Sequence, residues 1–289
     1  MDNLNSWKVF EATGKIEDYL KYADERRINK ARESFIARIK DTEGKEDGRN
    51  SNGAGDGNIF NAIGEYDKRL VIITKEFGKI TAFARGARKP NSPFLGGSQP
   101  MAFGEFTLYR GRNAYTVTGM KISDYFSNSM TDIDSMYMGM YFLELAGYYG
   151  REGIEASETL KLLYMAMKAL TKNRIPVDLI RCIYELKTLV INGEYPNVFS
   201  CGNCGEKQEL DYFDINRNTM VCKKCHGKVP DNEIITDSTV YALQFIVVTP
   251  VDKLFSFTVT DIVLKQLKHI IGSYMDKVID KKFNSLEFL

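Results

Sequence analysis

Two cysteine pairs constrain this 289-residue chain more than any other feature. Cys201 and Cys204 are separated by two residues, as are Cys222 and Cys225, and seventeen residues lie between the pairs. Two intervening residues let both thiolates of a pair turn toward one point. Two such knuckles complete a tetrahedral four-sulfur shell, the spacing of a zinc ribbon. Gly202 and Gly205 suit the tight turns, and Lys207, Lys223 and Lys224 offset the charge of the shell. Four sulfurs leave no position for a water, so the Zn2+ expected here is structural, not catalytic. A pair of disulfides or unused thiols are the bland readings of the same cysteines, and a cytoplasmic chain disfavours disulfides. An iron–sulfur cluster is a second use of the same ligands. The fifth cysteine, Cys182, lies in an apolar helical run and reads as an inert buried thiol.

Catalytic chemistry finds little support. The two histidines are His226, directly after a knuckle, and His269. No His-x-Glu pair accompanies the cysteines, as a zinc deaminase would need. No phosphate-binding glycine motif is present. Asp132 and Asp134 are the acids that best suggest a metal-bound nuclease centre, but they stand at the start of a helical pattern, where capping explains them. The expected protein is therefore not an enzyme. No apolar run is long enough to span a bilayer, and the N-terminus lacks a basic segment followed by an apolar one. The expectation is a cytoplasmic, nucleoid-associated protein without membrane contact.

Charge distribution points to a polyanion. The net charge is +1, yet residues 64–121 hold ten bases against four acids, a local excess of +6. Within that segment Lys68, Arg69, Arg85, Arg88, Lys89, Arg110 and Arg112 are the candidate phosphate contacts. Phe83, Phe94, Tyr109 and Tyr115 are candidate base stackers, and each also suits a barrel interior.

The pattern along the chain predicts an α+β protein. Residues 1–29 form an N-terminal extension that holds the only tryptophan. Residues 30–122 read as a domain of five short strands: 33–40, DKRLVIIT, KITAFAR, AFGEFTLYR and NAYTVTGMKI. Five such strands suit an OB-fold barrel. Residues 41–63, rich in Gly, Asn and Asp, read as a flexible insertion, and residues 86–100 as a Gly- and Pro-rich loop. From residue 123 to 289 the apolar spacing turns helical, interrupted by the ribbon at 199–229. This second domain is rich in Met, Tyr and Leu without net positive charge, which suits a protein partner.

These segments together resemble the RecO family of recombinational repair proteins. The ARGARKP run, the Tyr109-Arg110-Gly111 step, the helix RCIYELKTLVINGEYPNVFSCGNCG and the ending DKKFNSLEFL carry the likeness over about residues 31–289. The resemblance implies binding of single- and double-stranded DNA, annealing of complementary strands, and work with RecR to load RecA on DNA coated by single-strand-binding protein. It also implies the C-terminal tail of single-strand-binding protein as a ligand of the helical domain. Two departures stand out. The insertion at 41–63 is acidic and is expected to screen the DNA face, and the N-terminal extension resembles YqzL, a short protein with no activity to carry over. The competing readings are a zinc-ribbon protein adaptor without DNA binding and a zinc-dependent nucleic-acid hydrolase. Metal-dependent cleavage would mark the hydrolase, and absence of salt-dependent oligonucleotide binding the adaptor.

Overall fold

Alternating small and large apolar residues build the first element of the core. The computed structural model describes residues 38–40, 60–63, 65–112, 114–130, 132–229 and 232–289. In β4 (Gly78–Ala84) every second residue, Gly78, Ile80, Ala82 and Ala84, is buried. This period of two places one face on the core and the other toward solvent. Leu70 from β3 (Asp67–Thr74), Phe106 and Leu108 from β5 (Ala102–Arg110), and Tyr115 and Val117 from β6 (Tyr115–Tyr125) complete that core.

Among the described residues the sheet has six strands, where five were expected. With β1 at Arg38–Lys40 and β2 at Phe60–Ile63, the order is β1-β5-β6-β4-β3-β2. The run β2-β3-β4-β6-β5 is a meander followed by a hairpin that joins it through a parallel pairing of β6 with β4, the strand order of an OB-fold. Of the expected first strand, residues 33–40, the described part is β1, which runs parallel to β5 at one edge; residues 33–37 lie outside the described residues. The strand beside β3 is β2, which lies inside the stretch assigned to the flexible insertion. The Gly- and Asn-rich run drew that boundary too far, because a four-residue strand is short beside the composition signal around it. Among the described residues the two edge strands do not pair, so a closed five-stranded barrel is not what the pairing shows. The remainder of the expected insertion, 41–59, and the extension 1–29 lie outside the described residues.

The sheet joins two helices in one compact unit. Helices α1 (Ile133–Tyr149) and α2 (Ser157–Lys172) belong with it, the unit ends at Asn173, and it takes back the tail Phe283–Leu289. The expected division at 122/123 follows the change from strands to helices; the compact unit instead includes the helices that cover the sheet. Asp132 caps α1, its side chain accepting from Ser135 N at 2.7 Å, as its position suggested. Phe103, Phe126 and Tyr164 form an aromatic cluster between strands and α2. Phe283 of the tail packs edge-on against Tyr141 and Tyr148 of α1. The β3–β4 hairpin is pinned to the loop after α1: Lys79 N donates to Arg151 O, Gly153 N to Phe77 O and Ala156 N to Lys75 O.

The second unit, Arg174–Lys282, centres on α3 (Val177–Ile191), ten of whose fifteen residues are buried. Gly193 follows it with φ +76°, as expected of a residue that closes a helix. The ribbon follows, with β7 (Asn197–Cys201), β8 (Tyr212–Asp214), β9 (Thr219–Val221) and β10 (Asn232–Ile234) in the order β10-β8-β9-β7. Helices α4 (Asp237–Val248) and α5 (Asp261–Val278) close the unit. Lys187 of α3 is buried, and its ammonium donates to the carbonyls of Val247 and Ile246 at the end of α4. A cation there complements the negative end of the helix dipole. No helix among the described residues is long and apolar enough to cross a membrane.

Gly78 tests the hairpin anchor. It adopts φ +62°, and a Cβ there would lie 2.1 Å from Arg151 O and 2.4 Å from Ile154 O. Gly78→Ala should cost about 2 kcal/mol or more, combining left-handed backbone strain with displacement of the docked loop. Gly153→Ala is the control, with φ +79° but nothing within 4 Å, and should cost only the backbone part, about 1 kcal/mol. Thermal melts of both variants check the difference.

Candidate metal centre and nucleic-acid interface

Neighbouring strands deliver the first cysteine of each pair. β7 lies beside β9, with Cys201 opposite Met220, so Cys201 and Cys222 arrive side by side. Each knuckle then folds back. Gly205 N donates to Cys201 O at 2.8 Å, and the amides of Cys225 and His226 donate to Cys222 O at 2.9 and 3.1 Å. Gly205 needs its glycine for φ +78°. Gly202 needs it for space, because a Cβ would sit 2.4 Å from Thr219 Cγ2. The four sulfurs lie within 4.8 Å of one another, with Cys204 and Cys222 Sγ 3.6 Å apart. A tetrahedron with metal–sulfur arms of about 2.3 Å has sulfur–sulfur edges of about 3.8 Å, so the group fits one ion. Cys204 is exposed and the other three are buried.

The electrostatics agree with a cation. Burial pushes the Cys201 thiol up, but N–H groups of Cys222, Asn203 and Cys204 more than offset this and bring it down to about 6. For Cys204 the Glu206 N–H pulls down, but shared hydrogen bonds with the Cys225 and Cys222 sulfurs win and raise it to about 12. Four sulfurs at this spacing cannot all ionise unaided, and a bound dication removes that conflict. Asn203 Nδ2 donates to Cys225 Sγ at 3.2 Å and so steadies one ligand from outside the shell. Cys182 is buried in α3, which pushes its thiol far up, as its apolar setting suggested.

The basic candidates divide between the two faces of the sheet and its loops. Arg69 of β3 pairs with Phe83 of β4, Phe83 with Thr116 of β6, and Thr116 with Tyr109 of β5. Paired residues share a face. Arg69, Phe83, Thr116 and Tyr109 therefore form one row across four strands, each half-exposed, on the side opposite the core. The Nε of Arg69 is buried and makes no hydrogen bond. Lys68 takes the other face, where Nζ donates to Ser98 O at 3.2 Å; burial, then the charge of Arg88, lowers its pKa.

Arg85, which ends the expected strand KITAFAR, and Arg88 and Lys89, on the segment expected to be a loop, are exposed. That segment is firmly held. Gly86 N donates to Asp67 Oδ1 at 2.7 Å, Arg88 N to Tyr66 O at 2.9 Å, and Ala87 is part of the core. Lys89 Nζ stands 5.6 Å from the centre of the Tyr66 ring. Arg110 and Arg112 are exposed where β5 turns into β6. Of the aromatic candidates, Tyr115 is core and Phe94 packs against the core, while Phe83 and Tyr109 face outward. Sequence reasoning passed over Thr116 and the shared row, because cross-strand register has no local signal. It also passed over Tyr212, whose ring stacks on His226 at 4.0 Å and 7°.

Comparison with known proteins places both halves of the chain. Residues 60–126 match the family model described as Recombination protein O N terminal, and residues 130–287 that described as Recombination protein O C terminal. The first match begins at β2, so residues 1–59 fall outside both. A DNA repair protein RecO of Acetivibrio thermocellus is 30% identical over 228 residues, covering 78% of this chain and 90% of the relative. One of Alkaliphilus metalliredigens is 30% identical over 226 residues, covering 78% and 92%. One of Clostridium perfringens strain 13 is 29% identical over 229 residues, covering 78% and 91%.

The metal centre makes a thiol-counting prediction. With metal bound, a water-soluble disulfide reagent should find the four ligand sulfurs slow to react. A chelator should release four thiols per chain, while Cys182 stays silent until denaturation. Lowering the pH should weaken metal retention, because protons compete for the same sulfurs. Five fast thiols in the untreated protein would contradict the centre.

Proposed function

The chain belongs to the RecO family of DNA repair proteins, and from that premise we propose that it binds DNA through the sheet unit and anneals complementary strands as a recombination mediator. Its role lies in recombinational repair. The row Arg69–Phe83–Thr116–Tyr109 is the observation that carries the DNA reading. An arginine and two aromatic rings on an open OB-type face offer a phosphate contact and two stacking surfaces in one line. Arg85, Arg88 and Lys89 on the pinned loop, with Arg110 and Arg112 at the next turn, extend the positive surface; Lys68 supports the loop through Ser98. Sequence-independent affinity follows, since phosphate neutralisation releases counterions whatever the bases.

Annealing needs no chemical catalyst. It needs a surface that holds two strands and lowers their repulsion. The four cysteines are fully used as ligands, and the ion we assign to them is Zn2+, which prefers such a shell and leaves no open position for hydrolysis. The reading as a non-enzymatic protein rests on that closed shell.

RecR, RecA loading, and the tail of single-strand-binding protein belong to the same proposal. An apolar cavity of about 110 Å3 between the sheet and α1 and α2, lined among others by Phe103, Leu160, Tyr164 and Met167, has room for one large apolar side chain. Lys168 Nζ lies 4.8 Å from the Tyr164 ring centre, and the Tyr164 hydrogen bond raises its pKa. A firmly cationic residue beside an apolar socket suits a peptide that ends in an apolar side chain and a carboxylate.

Fluorescence anisotropy with a labelled oligonucleotide tests the DNA reading. Arg88→Ala with Lys89→Ala should weaken binding similarly across sequences and reduce the salt slope by about 0.7 for each phosphate no longer neutralised. Phe83→Ala should cost single-stranded binding about 1 kcal/mol or more and affect duplex binding less. Elemental analysis should find one zinc per chain. Salt-independent or absent oligonucleotide binding would favour the protein-adaptor reading.

A further inference from the structure

We infer that the second cysteine knuckle of the ribbon, Cys222–Lys228, is an additional contact for single-stranded nucleic acid, with His226 as a base-stacking surface and Lys223, Lys224 and Lys228 as phosphate contacts. The inference rests on the reading of the chain as a DNA-binding protein and adds a site in the unit for which charge predicted a protein partner.

Three features support it. First, the His226 ring is held before any ligand arrives. One face stacks on Tyr212 of β8, and Nδ1 lies 2.9 Å from Asn232 Oδ1. The Asn232 amide also donates to the carbonyls of His226 and Val229, so ring and backbone are fixed from the same side. His226 remains exposed, leaving its other face open. A fixed flat ring loses little freedom when a base stacks on it.

Second, the three lysines are exposed within six residues, with no acid between 222 and 229. The chain there is compact: Cys225 and His226 N donate to Cys222 O, and Lys228 N to Cys225 O. Third, offsetting the sulfur charge does not occupy these lysines. Among the described residues the sulfurs are served by backbone N–H groups and by Asn203, and no hydrogen bond joins a sulfur to Lys223, Lys224 or Lys228. Glu206 senses the charge of Lys224, but its carboxylate is held by the N–H groups of Lys207 and Gln208.

The competing account is that Tyr212–His226 is packing and the lysines balance the metal shell. Full-length His226→Ala, His226→Phe and Lys223→Ala/Lys224→Ala proteins separate the two, using labelled oligothymidine at several salt concentrations with zinc content measured in parallel. Expected results are a loss of about fivefold or more in affinity for His226→Ala, near-normal affinity for His226→Phe, and a salt slope lower by about 1.4 for the double lysine variant, all with zinc retained. Wild-type affinity and slope in the variants would overturn the inference while leaving the sheet reading intact. Reduced affinity only in step with reduced zinc content would also overturn it. Absence of binding by the unmodified protein would sink both readings.

Discussion

Two residue pairs hold the sheet together. β4 and β6 meet through Ala82–Tyr115 and Phe83–Thr116, and this short parallel contact joins the meander to the last hairpin. Because side chains alternate, a slip of one residue there would send Phe83 into the core and Ala82 to the surface. Burial resists the slip: Ala82 and Tyr115 sit together in the core, where neither Phe83 nor Thr116 would match their volume. The outward row from Arg69 to Tyr109 is thus a consequence of core packing on the opposite face. The candidate interface is as well defined as the core beneath it.

What was legible in the sequence follows this distinction between local and long-range order. The cysteine knuckles were legible because two-residue turns are local, and the structure brings all four sulfurs together. The strands DKRLVIIT and AFGEFTLYR occupy β3 and β5 over the same residues, since β-branched and aromatic runs carry their own signal. The strand at Phe60–Ile63 was not legible, because four residues beside a Gly-rich run have too little pattern. Tyr115 and Tyr109 look alike in sequence. Only register shows that one is core and the other is outside. The length of loop 86–100 was readable, but not its rigidity, which comes from Asp67, Tyr66 and Lys68 elsewhere in the chain.

The ribbon is not an independent appendage. It is inserted between α3 and α4, and Gln244 of α4 donates to Val198 O of β7 at 2.8 Å. Lys187 of α3 grips the end of α4 in turn. The ribbon has only short strands, the longest being five residues, and a sheet of that size has little apolar area to hold it. An ion held by the four cysteines would supply what burial cannot, and the contact to α4 would carry that stability into the helices.

Net charge is a poor guide to what such a chain binds. At +1 overall, the protein gives no long-range pull on a polyanion, and screening at physiological salt limits attraction to about 8 Å. On the proposed reading, binding would then come from local groupings within that distance, each small and each paired with a surface that does more than attract charge. The row on the sheet has this form, since its arginine stands in register with aromatic rings. So has the knuckle, where three exposed lysines lie within five residues of a fixed imidazole along the chain. If it anneals strands as proposed, a protein that must both hold and release them would gain from several weak contacts of this kind. Each can exchange without the whole complex dissociating, which one strongly basic groove would not permit.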